Sequence, residues 1–437
     1  MRILHCLHNY HPARGGAEWL MKNLSERLTA RGHEVTVVAS NALSVEDYIL
    51  PGKARPPLPS GEDTVNGVRV RRVPYSRRGL RALNALRAVA VRFRFPAGER
   101  LRALSWGPRS RRYYHRALEV EADLIAACPL PTMNVWYARR AAGKKKIPLV
   151  IIPCFHTEDS YTFNNRLYFR WLREADAVVT LTDWERDHLH RVAGVPLDNL
   201  RTIGVGIDMD GASREGTPQL IDNHEQTSLP AIAPRPPGTE AVKSPGETVM
   251  FMGQHGLHKG ILHLLKAMTA VWTERPGARL VVAGSPTAHT AEVEAKIGEL
   301  PSWQQARVEL IRGFPEESKR EILRRADVFV SVSFMESFGI VFLEAWRERL
   351  PVIGCRRGGS SKLIDEFRDG LLVEFGRPRE LAGAILELLG NADVRSAMGR
   401  AGYAKAREKY SWERVLPRWE TLYEDVIRRR RDPVAGS

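Results

Sequence analysis

At 437 residues the chain is long enough for two domains with sizeable cores, and 43% hydrophobic with 27% charged residues is ordinary for a soluble globular enzyme. The net charge of +15 points to an anionic partner, whether nucleotide, acidic membrane surface, nucleic acid or charged polysaccharide, unless it reflects only an arginine-rich genome. Cys6, Cys128, Cys154 and Cys355 lie too far apart for a zinc site or disulfide framework, the N-terminus is too short and interrupted for a signal peptide, and no apolar run approaches a membrane span; the expectation is a cytoplasmic protein with reduced core thiols, touching membrane only peripherally.

The first elements read as β-loop-α-β. Arg2 to Leu7 is a strand, Ala17 to Arg31 a helix with Leu20, Met21, Leu24 and Leu28 on one face, and Val35 to Val38 the next strand. This is the opening of a doubly wound domain. The junction Gly15-Gly16-Ala17-Glu18 can admit a phosphate or an acceptor hydroxyl at the helix start, although paired glycines also simply make turns. Residues 41–120 form an excursion: an edge hairpin over Thr64 to Val70 turning at Asn66-Gly67, then a basic segment over 77–116 in which arginines alternate with Leu80, Leu83, Leu86, Val89, Phe93 and Phe95. That spacing predicts a basic amphipathic helix, which either lies on anionic lipid or packs on its own domain with its arginines in water. Arginines set among aliphatics rather than stacking aromatics speak against nucleic acid.

Ala122 to Ala127 and Pro148 to Pro153 are buried strands, and the second delivers His156 at its carboxyl end, where a neutral imidazole can hydrogen-bond a sugar hydroxyl. Glu158 and Asp159 are weaker alternatives there. A further strand covers Ala175 to Thr182. Asp208-Met209-Asp210 looks like a metal clamp but opens a linker, so it is given no metal role. Residues 211–246, rich in proline, glycine, serine and threonine, read as an insertion or flexible linker. Beyond it Thr248 to Met252 is a strand, and Lys259-Gly260 stands at a helix start, placed to neutralise a diphosphate. Arg279 to Gly284 and Val308 to Phe314 continue the strand series. The stretch Ala326 to Val332 is another buried strand, followed by Phe334-Met335-Glu336-Ser337-Phe338-Gly339-Ile340 and a helix carrying Glu344. Glu336 in the loop and Glu344 about two helical turns on can both face the mouth of the sheet, which suits a ligand with a phosphate at one end and hydroxyls around it.

Glu336 to Glu344, with Phe338-Gly339 between, resembles the Glu-x7-Glu signature of the retaining glycosyltransferases of family 4, also termed glycosyl transferases group 1. The resemblance implies an α/β chain of GT-B fold, with two doubly wound Rossmann-like domains facing a central cleft. It places an acceptor-binding domain at 1–208, a linker or insertion at 209–246, a nucleotide-sugar domain at 247–410 and, at 411–437, a helix crossing back to the first domain. Glu336 would bind hydroxyls of the donor sugar, the amides of Phe338, Gly339 and Ile340 the sugar and diphosphate, and Glu344 the ribose. Gly15 and Gly16 would floor the cleft, His156 would match an active-site histidine, Gly284 would meet the base, and Arg312, Gly313 and Phe314 would lie by the nucleotide backbone. Of the family's Gly-Arg-x4-Lys-Gly, Lys259 and Gly260 match while Gln254 replaces the arginine, with His255 or His258 as substitute donors. Lys362 stands where the family commonly has glutamate.

The expected function is therefore a retaining hexosyl transfer from a UDP- or GDP-sugar to a saccharide or lipid-linked acceptor in glycan, polysaccharide or glycolipid biosynthesis. Glu336, His156 and Lys259 would act at the reacting centre, with no metal and no cofactor required. Partners would be the donor, the acceptor and an anionic membrane surface on the inner face, but no nucleic acid. Another GT-B enzyme, an epimerase or phosphorylase, or a non-catalytic basic membrane-surface protein are the alternatives, although the phosphorylase's cofactor-bearing lysine motif is not found.

Overall fold

Two parallel sheets, each buried between helices, make up the computed structural model, which describes residues 1–50, 55–93, 95, 97–209 and 247–432. The first sheet contains β1 (Arg2–Leu7), β2 (Glu34–Ser40), β3 (Gly61–Val65), β4 (Val68–Val73), β5 (Leu124–Cys128), β6 (Leu149–Ile151), β7 (Ala177–Thr180) and β8 (Leu200–Thr202), in the order β3-β4-β2-β1-β5-β6-β7-β8. Only the β3–β4 hairpin is antiparallel, and its turn residues Asn66 and Gly67 both have positive φ, the tight hairpin geometry that Asn-Gly favours. The second sheet contains β9 (Thr248–Met252), β10 (Arg279–Gly284), β11 (Val308–Arg312), β12 (Val328–Ser331), β13 (Val352–Cys355) and β14 (Gly370–Val373), all parallel, in the order β11-β10-β9-β12-β13-β14.

The central strands are covered on both faces, which is why they read as unbroken apolar runs: every residue of β5 and β12 is buried. Covering helices turn apolar stripes inward, such as Leu20, Met21, Leu24 and Leu28 of Gly16–Ala30, and Leu264, Leu265, Met268 and Trp272 of Ile261–Glu274. Each such side chain withdrawn from water contributes about 2 kcal/mol. Strand order reverses between β1 and β5 in one sheet and between β9 and β12 in the other. Doubly wound sheets open a crevice at such a switch point, beyond the carboxyl ends of the flanking strands.

The basic segment departs from the single helix expected. It forms three helices, Leu80–Arg92, Gly98–Ser105 and Arg111–Glu119. The chain doubles back after the first, so tightly that a Cβ on Gly98 would stand 3.3 Å from the carbonyl oxygen of Ala90, and Gly107 with φ of 46° followed by Pro108 ends the second. The third helix belongs to the core: the buried Tyr113 hydroxyl lies 2.7 and 2.6 Å from the carbonyl oxygens of Leu7 and Val38. Leu86, Val89, Phe93, Phe95 and Leu104 of the first two helices and their turn remain exposed.

The chain leaves the first sheet through Gly204 to Asp208; residue Asp210 and the expected linker over 211–246 lie outside the described residues. Asp208 is paired with Arg27. The C-terminal helix Trp412–Arg431 lies against the first sheet's domain. Ile207 bridges to Ser411, Glu420 pairs with Arg31 and His33, and the Tyr423 hydroxyl stands 3.3 Å from His5 Nε2. Trp412 is the anchor: it is buried beneath Arg27, and a Cβ on Gly206 would come within 2.4 Å of its ring. Replacing Trp412 with alanine should therefore leave a cavity at the crossover and cost about 3–5 kcal/mol, read as a lowered urea midpoint at unchanged m-value.

Candidate active site

Lys259 and Glu336 arrive from the two strands that flank the switch point of the second sheet. The loop after β9 ends in the 3-10 turn Leu257–Lys259 and, through Gly260, starts the helix Ile261–Glu274; the loop after β12 carries Glu336 and starts the helix Ile340–Arg347. Because β9 and β12 are neighbours, the two loops must meet. Lys259 Nζ donates to Glu336 Oε2 at 3.0 Å. Burial works against the Glu336 carboxylate, but the Lys259 ammonium outweighs it and holds the group below its ordinary value, so it is ionised at neutral pH. Both helix starts are capped by left-handed glycines, Gly260 with φ of 79° and Gly339 with φ of 99°, and neither start has a side-chain cap. Their first N–H groups are thereby left for an outside acceptor.

The Glu336 loop is held by main-chain contacts. Gly359 N–H donates to the Glu336 carbonyl oxygen at 2.6 Å, and a Cβ on Gly358 or Gly359 would stand 2.8 Å from that oxygen or 2.4 Å from the Ser337 carbonyl oxygen. Gly358-Gly359 lie just before the helix Ser360–Leu363, and their grip on Glu336 depends on the fold.

The first domain faces this pair. His156 follows β6, and its field includes Glu336 and Lys259; burial holds its imidazole below the ordinary value, and its buried Nδ1 has no hydrogen-bond partner among the described residues. Gly16 starts the helix Gly16–Ala30 and lies opposite Ile340, where a Cβ on it would be 3.8 Å from Ile340 Cδ1. Two helix N-termini, one per domain, thus approach across the crevice. Gly15 is extended, and its missing side chain makes room for Glu18, whose Oε2 would lie 2.3 Å from a Cβ there. Glu18 is itself buried and receives His8 Nε2 at 2.9 Å, a pair not foreseen from the sequence. Trp184 spans the domains: its indole N–H donates to Thr157 Oγ1 at 3.1 Å, Thr157 donates to Glu158 at 2.7 Å, and the Lys362 ammonium of the second domain sits 5.0 Å from the ring centroid. Beneath His156, Glu185 accepts the Phe155 and Leu181 N–H groups at 2.8 and 2.7 Å, while burial pushes its carboxyl up to about 7. It is a positioning residue for the His156 loop, and the only sequence signal for it is its place in the first turn of a helix.

Other expected site residues are placed differently from Lys259, Glu336 and His156. Glu344 is buried and bound to Lys319 at 2.7 Å; Glu344 and Glu316 hold that ammonium above its ordinary value despite burial. The two glutamates of the signature therefore answer to two different lysines. The Phe338 ring is buried against Tyr410, with centroids 5.6 Å apart, at the crossover between domains. Gly284 is demanded by the fold, since a Cβ there would fall 1.6 Å from the Gly253 carbonyl oxygen. Gly313, with φ of 77° and open space where its Cβ would be, donates its N–H to the Gly284 carbonyl oxygen at 2.7 Å. Arg312 is exposed and bound to Glu294 at 2.6 Å, and Phe314 is partly buried against the core. Gln254 is exposed, whereas His255 is buried with its Nδ1 3.4 Å from Thr290 Oγ1. Among the described residues, no cluster of three or more His, Cys, Asp or Glu side chains is placed to hold a metal ion.

The chain matches the family described as Glycosyltransferase Family 4 over residues 14–210 and that described as Glycosyl transferases group 1 over residues 238–405. It is 26% identical over 261 residues to a D-inositol 3-phosphate glycosyltransferase of Jonesia denitrificans, covering 58% of this chain and 58% of that relative's length. The sucrose-phosphate synthase of Thermosynechococcus elongatus superposes with a TM-score of 0.67 at 19% identity, over 98% of this chain and 100% of that one. HepE of Anabaena in complex with UDP and glucose superposes with a TM-score of 0.66 at 16% identity, over 97% and 100%.

Proposed function

The chain belongs to the GT-B glycosyltransferases of family 4 and group 1, and from that premise we propose that it is a retaining glycosyltransferase that moves a sugar from a nucleotide diphosphate sugar to an acceptor hydroxyl. The observation that carries the reading is the Lys259–Glu336 pair at 3.0 Å, set between two uncapped helix starts at the switch point of the second sheet. The diphosphate gains negative charge as the sugar leaves, and Lys259 with the helix N–H groups would stabilise that charge without a resident cofactor. Glu336, ionised, would accept hydrogen bonds from the donor sugar's hydroxyls, and His156, kept neutral, can give or take one on the acceptor side. Glu336, held by Lys259, would orient the sugar through its hydroxyls. The acceptor then enters on the face the leaving group occupies, and a diphosphate oxygen takes its proton. Glu344 would meet the ribose, with Lys319 fixing its charge. A UDP-sugar is the first donor to test, because a structural neighbour was solved with UDP and glucose; GDP-sugars are the second. The family matches do not favour an epimerase, a phosphorylase or a non-catalytic binder.

The exposed apolar residues Leu86, Val89, Phe93 and Phe95 beside Arg81, Arg87 and Arg92 support a second proposal, that the first two helices of the basic segment would dock on an anionic bilayer and bring the enzyme to a lipid-linked acceptor in glycan or glycolipid synthesis. Among the described residues no helix is long and apolar enough to cross a membrane, so the contact would be peripheral.

Three measurements decide these points. A donor at a hundredfold excess over its Kd should stabilise the fold by about 2.7 kcal/mol; a melting temperature unmoved by every UDP- and GDP-sugar would reject the reading, and the anomeric configuration of the product tests retention. Sedimentation with phosphatidylserine vesicles should be lost with charge reversal at Arg81 and Arg87 and absent with neutral vesicles, and equal binding to both vesicle types would remove the membrane surface.

A further inference from the structure

The Lys259–Glu336 pair is close to neutral as a unit. A nucleotide sugar would bring a diphosphate with two negative charges to that place, and Gln254 on the same loop has no charge to offer. The groups around the pair that can become cationic are imidazoles. His258 immediately precedes Lys259 on the turn that leads into the helix Ile261–Glu274. The residue is exposed, but its ring folds back on the chain and is partly screened from water, so that a Cβ on Gly256 would lie 2.6 Å from its Cε1, and its carbonyl oxygen is fixed by Phe334 N–H at 2.8 Å. Four charged or titratable groups act on it: Lys259 from its own turn, Glu336 from the loop after β12, His156 from the first domain and His289 from the loop before the helix Thr290–Gly298. His289, also exposed, leans toward Glu292 at 3.8 Å, whereas His258 adjoins Lys259 in the chain.

Resting on the donor-site reading above, we propose that His258 binds the donor diphosphate as an imidazolium, taking a proton from solvent on binding, and so adds a second positive charge to that of Lys259, which is shared with Glu336, where neutral Gln254 offers none. Before binding, desolvation and then the Lys259 ammonium push the imidazole down to about 4, so it is uncharged at neutral pH. A negative charge about 4 Å away at an effective dielectric near 20 raises an imidazole's titration by roughly three pH units, which carries His258 into the neutral range. The charged ring also has two N–H donors for phosphate oxygens where the neutral ring has one. The proton balance is simple: one proton passes from buffer to His258 and no covalent bond changes. The diphosphate of a nucleotide sugar is a diester with no ionisation near neutrality, so the ligand cannot be the source or sink.

The test is calorimetric titration of the full chain with intact UDP-glucose and GDP-mannose at pH 6.5, in two buffers of different ionisation enthalpy. The wild-type chain should take up about half a proton or more per ligand bound, and affinity should weaken roughly threefold over the first pH unit above that pH and then level off. His258→Gln should abolish most of the uptake and bind several-fold more weakly at pH 6.5, converging with wild type at pH 8.5. His258→Lys should bind without uptake and with little pH dependence, restoring affinity at high pH. Binding by the wild-type chain without proton uptake, or uptake undiminished in His258→Gln, overturns the inference and leaves the donor site standing. If neither binds, the titration is run with whichever UDP- or GDP-sugar shifts the melting temperature; if none does, the donor reading itself falls, and the inference with it.

Discussion

Replacing Glu336 with glutamine is expected to lower the transfer rate at least about a hundredfold while UDP binds as tightly as before or more tightly. The two halves of that result have different causes. Glutamine keeps the side chain's volume but turns one acceptor oxygen into a donor, so the sugar hydroxyls lose the ionised partner that orients them. Lys259, 3.0 Å from Glu336 in the native chain, is released from its counter-ion and meets the diphosphate with its whole charge. The loop itself should hold, because its register is set by the Gly359 N–H on the Glu336 carbonyl oxygen and by the close approach of Gly358, not by the side chain. Measuring kcat with the intact donor and Kd with UDP separates these effects. A kcat within threefold of wild type would remove Glu336 from the reacting centre, and a parallel loss of UDP binding would make it a structural residue of the loop.

The parts of this site written in local pattern were readable, and the parts made by distant contacts were not. Unbroken apolar runs announced the parallel strands because burial on both faces leaves no polar alternation. Once β9 and β12 are neighbours across a switch point, the meeting of Lys259 and Glu336 is a consequence of topology. Nothing in the sequence pairs Glu344 with Lys319 or Glu18 with His8, since both members of each pair are polar residues whose burial is decided by the fold. Gly284, given a ligand-facing role by resemblance, carries a packing demand that the sequence did not show: a Cβ there would fall 1.6 Å from the Gly253 carbonyl oxygen. The basic segment failed as one helix because helical spacing of Leu80 to Phe95 cannot reveal that the chain folds back at Gly98, nor that Tyr113 leaves the arginine-lined surface for the core. Periodicity reports which face is apolar, not which partner covers it.

Gly260→Ala should be severely damaging for so small a substitution, and its size can be partitioned. Gly260 has φ of 79°, and a Cβ there would stand 2.4 Å from the Val332 carbonyl oxygen and 2.8 Å from Val332 Cγ2. The left-handed conformation alone costs an alanine about 1 kcal/mol. The clash is with main chain at the end of β12, which cannot yield without moving the loop that carries Glu336, so the total should reach about 3 kcal/mol or more. Gly376 supplies the control: its φ is 74°, but the nearest atom to a Cβ is His263 Cε1 at 3.9 Å, so Gly376→Ala should show only the conformational cost. In urea titrations the Gly260 variant is therefore expected to lose at least twice as much stability as the Gly376 variant. Because relief of the clash must separate the start of Ile261–Glu274 from β12, the same substitution should pull Lys259 away from Glu336 and weaken UDP-sugar binding more than tenfold, while Gly376→Ala leaves binding intact. Equal losses of stability in the two variants would mean that β12 and the helix start are free to part, and that the placement of Lys259 over Glu336 does not depend on this contact.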